Sequence, residues 1–281
     1  MPVVSAEERF LFDVQGFLLL RNVLSEAECQ RYRQALDRLE NSEYDDSGWI
    51  NAAPAPYSHT MGRALPPDPT RAVGKGSVRM NGLLRLDPVF HELIVHPAIN
   101  YRLREFLGEP LLGNTWSISK TEGADHFGWH RGEESIEYNC RNGVIRTGML
   151  NVIYFLTDNG PQDGCIAAVP GSHKNNIDLP WNDYPGLNLP GSVAITGKAG
   201  DVFMFSESVL HTGLPKTSKG TRTNLYFNHV RSHHYLSNLG AFLRHGCVPP
   251  KIRDQFTPEQ KKVTIWMEDY RPEVLQTLHG L

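Results

Sequence analysis

The chain has 281 residues, 40% of them hydrophobic and 21% charged, enough for one large or two modest domains of ordinary globular composition. A formal net charge of −3 supplies no basic field for nucleic acid or an anionic membrane. The four cysteines, Cys29, Cys140, Cys165 and Cys247, show no CxxC spacing, which argues against a zinc ribbon, a thioredoxin-like motif or a disulfide framework and fits a reducing, cytoplasmic setting.

The opening residues, Met1 to Phe10, have no apolar run, so no secretory leader is expected there. No stretch approaches the ~20 apolar residues that span a bilayer. Gly16 to Arg21 reads as a short buried strand. Ser25, with Glu28 three residues later, forms a capping box that opens a helix to about Glu40, with Cys29, Tyr32, Leu36 and Leu39 on one face. From Asn41 to Gly76 the chain is rich in Pro, Gly, Asp and Ser, and a loop of that length is expected to be functional or mobile. Asp87-Pro88 and His96-Pro97 each set an N-cap before a proline, and Gly108 closes the second of these two short helices.

Beyond Gly108 the pattern changes. Leu111 to Lys120, Gly148 to Thr157, Cys165 to Val169, Ser192 to Thr196, Asp201 to Phe205 and Thr221 to Val230 read as strands, separated by turn signals such as Asp158-Asn159-Gly160. Helices first, then many short strands without alternating βα units, predict an α+β, mainly β protein built on an antiparallel sandwich or barrel. Thr257 and Gln260 make another capping box, so a helix is expected early in the tail. With no repeat and no visible boundary, residues 1–281 are read as a single domain. It has a helical part over about 1–110, a core over about 111–232 and an extension over about 233–281.

Trp129-His130-Arg131-Gly132 has the outline of half a non-haem iron site, in which an aspartate or glutamate follows the histidine two residues on and a second histidine comes later. His211 is the candidate for that second histidine. The carboxylate place holds Gly132, which has no side chain to offer a metal. In an extended segment, residues i and i+2 face the same side, so Glu133 points away. Glu133 or Glu134 curling back is one way to restore a carboxylate. His126, in the same His-x-Gly spacing, is the alternative to His130. His173, in a Pro-Gly-Ser-His-Lys turn, is read as structural or at a pocket mouth, and His233-His234 as a polar edge. Gly74-Lys75-Gly76-Ser77 lacks P-loop spacing, and no Gly-x-Ser-x-Gly elbow is present, which removes the usual hydrolase alternative. Three segments are candidate specificity loops: Asn41 to Gly76, Glu133 to Thr147, and Asn175 to Gly191, the last with Trp181 and Tyr184 as lid packing or substrate cover.

The run from Gly164 to Lys174 (Gly-Cys-Ile-Ala-Ala-Val-Pro-Gly-Ser-His-Lys), then Gly200 to Phe205 ahead of His211, then Arg222, resembles the phytanoyl-CoA dioxygenase family over roughly Phe17 to Val230. The resemblance implies a double-stranded β-helix (a cupin-like jelly roll) with N-terminal helices packed on one sheet. It implies an enzyme that uses Fe(II), 2-oxoglutarate and O2, with His130 and His211 as iron ligands and Arg222 on a carboxylate of 2-oxoglutarate. A guanidinium suits that carboxylate because it makes two parallel hydrogen bonds. Arg79 is a further candidate for the co-substrate's other carboxylate. The missing carboxylate at Gly132 resembles the non-haem iron halogenases, in which chloride or bromide takes the vacated place and restores the charge balance. Halogenation of an unactivated C–H bond in a small-molecule metabolite or natural product is therefore the leading expectation. Hydroxylation by the same site is the second, and a metal-free binding module on the same fold is the third. Nucleic acid and membrane partners are not expected, and the oligomeric state is not legible in these residues.

Overall fold

Burial on both faces explains why the central strand segments read as continuous apolar runs. In the computed structural model, which describes residues 2–41, 76–132, 138–177, 179–231, 248 and 250–264, twelve strands are formed among the described residues. These are β1 (Phe17–Leu20), β2 (Ser77–Asn81), β3 (Pro110–Lys120), β4 (Phe127–His130), β5 (Tyr138–Arg141), β6 (Val144–Thr147), β7 (Met149–Phe155), β8 (Ile166–Ala168), β9 (Val193–Ile195), β10 (Val202–Ser206), β11 (His211–Gly213) and β12 (Arg222–Arg231). The larger sheet has the order β1-β10-β7-β12-β3-β2 and the smaller one β4-β11-β8-β9, with every pairing antiparallel.

The period of two along each strand divides the core. Val152 and Tyr154 of β7, Val202 and Met204 of β10, and Leu225 and Phe227 of β12 join a cluster with the helices. Ile153, Phe155, Phe203, Phe205 and Tyr226 join Ile166, Ala168 and Ile195 of the smaller sheet. The larger sheet thus carries helices on one face and the smaller sheet on the other. This is the jelly roll expected from the sequence, with the inter-sheet space left for a site.

The helix from Glu26 to Asn41 (α2) follows its capping box at Ser25 and Glu28. Cys29, Tyr32 and Leu36 are buried, as its periodicity requires. α1 (Ala6–Gln15) is an element beyond those predicted from the sequence. Its signal was present in Ser5 and Glu8, which form a reciprocal capping box. Pro88–Val95 is a 3-10 helix rather than an α-helix, and Pro97–Leu107 is the α-helix closed by Gly108. A hairpin, β5 and β6, occupies part of the segment read as loop from Glu133 to Thr147. Its turn residues Asn142 and Gly143 both have positive φ (52° and 75°), the signature of a tight hairpin turn. β2 and the single helical turn Leu83–Leu86 are likewise additional to the predicted elements. The tail helix forms at Pro258–Val263 on the Thr257 and Gln260 box. Most of the segment from Asn41 to Gly76, together with Glu133, Glu134 and the His233-His234 pair, lies outside the described residues. No described helix is long and apolar enough to cross a membrane. Cys29, Cys140 and Cys165 are free thiols.

Gly200 shows how tightly the turns are set. Its φ is +93°, and a Cβ there would lie 2.3 Å from the Leu24 carbonyl oxygen, so only glycine closes this turn.

Two histidines outside the inter-sheet site shape the acid limb of stability. His173 packs edge-on against Tyr138, and its Nε2 lies 3.1 Å from the Asp13 carbonyl oxygen. Burial, aided by Lys174, pulls its pKa from 6.5 down to about 4. Burial alone takes His229 from 6.5 down to about 3. In both, the folded state holds the proton less tightly than the unfolded chain. Their neutral forms therefore cost nothing above pH 6.5, and stability is lost as pH falls below that value. Each is expected to remove roughly 2–3 kcal/mol by about pH 4.5. Thermal melting of the metal-free protein at pH 7 and pH 4.5 checks this: His173→Gln should shrink the difference between the two midpoints, and an unchanged difference would contradict it.

Candidate metal centre

β4 and β11 are neighbours in the smaller sheet, and their register sets His130 directly opposite His211. The Thr212 hydroxyl reinforces this pairing by donating to the Phe127 carbonyl oxygen. The two imidazoles end 4.1 Å apart, centroid to centroid. In each ring Nδ1 lies 2.8 Å from a backbone carbonyl oxygen two residues upstream, Gly128 for His130 and Val209 for His211. A carbonyl accepts only, so these bonds fix the Nδ1–H tautomer and leave the Nε2 lone pair for a metal. Burial favours the same neutral form. It lowers the pKa of His211 to about 4, and burial together with the neighbouring His211 lowers that of His130 to about 4.

A third donor reaches this point from a position that sequence reasoning missed. Glu207 follows β10, and its carboxylate, His130 and His211 present ligand atoms that all lie within 4.8 Å of one another. The Asn151 side-chain amide donates to the Glu207 carboxylate, and Asn228 donates in turn to the Asn151 oxygen at 2.8 Å. Burial raises the Glu207 pKa from 4.5 to about 7, against the opposing pull of His130 and the Asn151 hydrogen bond. Two neutral imidazoles and a carboxylate are a donor set that suits Fe(II) and other first-row divalent ions. The signal was there in the alternation of β10: Phe203 and Phe205 face the inter-sheet space, and Glu207 continues that parity toward it.

Gly132 lies next to this group. Its N–H donates to the Glu207 carbonyl oxygen at 2.8 Å, so the two backbones are tied together. His126, the alternative ligand, lines the same cavity but is not part of the described donor cluster. His173 sits against Tyr138 and Asp13, outside that cluster, in the structural role expected of it.

The cavity reaches from these donors to the larger sheet and is lined by Arg222, Arg79, Tyr226 and Lys120. Arg222 is 2% exposed, and its Nη2 donates to the Gly164 carbonyl oxygen at 2.6 Å while Nη1 approaches the Tyr226 hydroxyl at 3.5 Å. Its Nε is buried without a hydrogen-bond partner. A buried, incompletely paired guanidinium is costly unless an anion completes it. Gly164, in the expected motif, earns its place through geometry: φ is +71°, and a Cβ there would lie 2.9 Å from the Leu214 carbonyl oxygen. Lys120 stands opposite Arg222 across β3 and β12, and donates to the carbonyl oxygens of Asp125 (3.0 Å) and Leu214 (2.8 Å). Burial, then the Arg222 charge, lowers its pKa to about 8. Arg79 lies over the Trp116 ring at 4.8 Å, and Trp116 stacks on Tyr226 at 5.2 Å. Burial lowers the Arg79 pKa to about 10.

Trp181 and Tyr184 do not line this cavity. They pack with Trp129, Leu189 and Leu210 on the far side of the smaller sheet, and Trp129 Nε1 donates to the Gly186 carbonyl oxygen at 3.1 Å. Of the two readings of these aromatics, packing or substrate cover, the structure shows packing.

Known proteins share this architecture. Residues 12–224 match the family model of phytanoyl-CoA dioxygenase (PhyH). The ectoine dioxygenase of Nocardia farcinica is 23% identical over 260 residues, covering 82% of this chain and 79% of that protein. The L-proline trans-4-hydroxylase of Streptomyces griseoviridis is 20% identical over 257 residues, covering 82% and 87%. Among solved structures, HygX from Streptomyces hygroscopicus with nickel and 2-oxoglutarate bound superposes with a TM-score of 0.66 at 20% identity, covering 82% of this chain and 88% of that one. The 2-oxoglutarate-dependent carbocyclase SnoK of nogalamycin biosynthesis superposes with a TM-score of 0.60 at 22% identity, covering 82% and 85%. The family match spans most of the chain, and the jelly roll is the fold of these enzymes. The chain therefore belongs to the phytanoyl-CoA dioxygenase family, within the Fe(II)/2-oxoglutarate-dependent dioxygenases.

Proposed function

We propose that this protein hydroxylates an unactivated C–H bond of a small-molecule substrate, with Fe(II) held by His130 and His211 and 2-oxoglutarate held by Arg222. The observation that carries the reading is the convergence of two Nε2-presenting imidazoles and one buried, incompletely paired guanidinium on a single cavity. Bound Fe(II) supplies O2 activation coupled to oxidative decarboxylation of the 2-oxo acid. The chain's own residues do the rest. The Gly128 and Val209 carbonyls hold both imidazoles in the tautomer that ligates. Arg222 gives the co-substrate carboxylate a fixed cationic partner away from bulk water, where charge-assisted hydrogen bonds are strongest. Phe205, Ile153 and Ile166 wall the cavity with apolar surface and limit water near the reacting centre. The Arg79, Trp116 and Tyr226 stack offers a rigid wall with a polar edge to a small substrate. Arg79 is the candidate for a further anionic group, on substrate or co-substrate.

Hydroxylation leads because the relatives matched over most of the chain carry the names dioxygenase and hydroxylase. Halogenation is the second reading, and Gly132 is the observation that favours it, since that position offers no carboxylate. Turnover separates them. With Fe(II), O2 and chloride present, succinate formation from 2-oxoglutarate should rise with a substrate from a panel of small amino-acid derivatives and antibiotic-type metabolites. Mass spectrometry should then find one added oxygen. A chlorinated product would establish the second reading, and absence of succinate under every condition would overturn both.

A further inference from the structure

We infer that Glu207 supplies the carboxylate that position 132 lacks, so that His130, Glu207 and His211 form the protein face of the iron site. The inference rests on the Fe(II) assignment proposed for this cavity and names a ligand which that assignment does not require.

Three independent features point to it. The first is reach: a Glu207 carboxylate oxygen and one donor nitrogen from each histidine lie within 4.8 Å of one another, close enough for one ion to be shared. The second is substitution in space. The Gly132 N–H holds the Glu207 carbonyl oxygen at 2.8 Å, so the segment that lacks a side chain at position 132 lies against the segment that brings one in. The third is orientation. Asn151 pairs with Phe205 of β10 on one side and with Asn228 of β12 on the other. Its amide donates to one Glu207 oxygen while its own oxygen accepts from Asn228 at 2.8 Å. The row of amides fixes the carboxylate as a supporting hydrogen bond fixes a metal ligand, and it leaves the second carboxylate oxygen for the ion. Asn151 and Asn228 are positioning residues in this scheme.

The consequence reaches the reaction outcome. A carboxylate from position 207 neutralises one charge of a divalent ion and occupies the place that a halide would need, so the glycine at position 132 does not leave the metal open.

Anaerobic calorimetric titration with Fe(II) alone, in the absence of 2-oxoglutarate and substrate, tests the assignment. Wild type should bind one equivalent. Glu207→Gln keeps shape and hydrogen-bonding capacity but removes the charge, and should bind roughly 100-fold more weakly. Asn151→Ala keeps the carboxylate but frees it, and should lose about 10-fold. The cobalt(II)-loaded Glu207→Gln variant should also show an altered visible absorption spectrum relative to wild type. Equal Fe(II) affinity in wild type and Glu207→Gln would overturn the ligand assignment and leave the His130 and His211 site standing. No Fe(II) binding by wild type would overturn the functional reading itself. Should Glu207→Gln fail to fold, Glu207→Asp, one methylene shorter, carries the test: weakened affinity supports the inference and wild-type affinity overturns it.

Discussion

Replacing His211 with alanine is expected to abolish stoichiometric Fe(II) binding and to lower 2-oxoglutarate turnover by ~1000-fold or more. That corresponds to about 4 kcal/mol of lost stabilisation. His211 is the more deeply placed of the two imidazoles: it is 8% exposed, faces the Phe205 ring at 4.6 Å, and is tied through β11 to both β4 and β8. No described histidine stands ready to replace it, since His126 and His173 lie outside the donor cluster. The variant should fold, because removing an imidazole that presents Nε2 to the cavity breaks no ladder bond of β11. Metal content after reconstitution and the rate of succinate formation are the readouts. Retained metal with retained turnover would place the iron elsewhere.

The second large effect is expected at Arg222. Arg222→Leu should raise the 2-oxoglutarate concentration for half-maximal turnover by about 100-fold or more while leaving Fe(II) affinity close to wild type. The estimate follows from the cost of stripping the partner from a buried charge, about 2–5 kcal/mol. Arg222→Lys should recover only part of the loss, because an ammonium keeps the charge but cannot form two parallel hydrogen bonds to a carboxylate. Lys120, opposite Arg222 in the ladder, does not compensate: its amine already serves the Asp125 and Leu214 carbonyls. A matched fall in metal affinity and 2-oxoglutarate affinity would instead mean that Arg222 supports the fold rather than the co-substrate.

Strands were legible in the sequence where they are buried on both faces, because a run such as Asn151 to Phe155 has no competing reading in a chain of short elements. Helices were legible where a cap stood beside an amphipathic stripe, as at Ser25. α1 is faint in the sequence because only Phe12 of its residues is buried, so it carries no apolar stripe to support the capping box at Ser5 and Glu8. The β5 and β6 hairpin was hidden because Asn142-Gly143 lies in a segment of mixed charge with no clear alternation.

The site shows the same division. His130, His211 and Arg222, which the fold brings to one cavity, are legible in the sequence because they sit at fixed offsets within recognisable segments. Glu207 lies beyond any such offset: the parity of β10 aims it at the inter-sheet space, but nothing in a linear pattern says which residues of the other sheet it will meet there. Only pairing of β10 with β7, and of β4 with β11, brings it there. The expectation of an open, halide-accepting place rests on position 132 alone, and the Glu207 carboxylate that comes near His130 and His211 becomes visible only in the fold.

The most direct measurement is an anaerobic optical titration of the purified protein with Fe(II) and then 2-oxoglutarate. Chelation of the keto acid by a ferrous ion between His130 and His211 should produce a visible charge-transfer band that saturates at one equivalent of each, and that is absent in the His130→Ala and His211→Ala variants. A wild-type protein that takes up Fe(II) and 2-oxoglutarate without such a band, or a band that persists in both variants, would contradict the account.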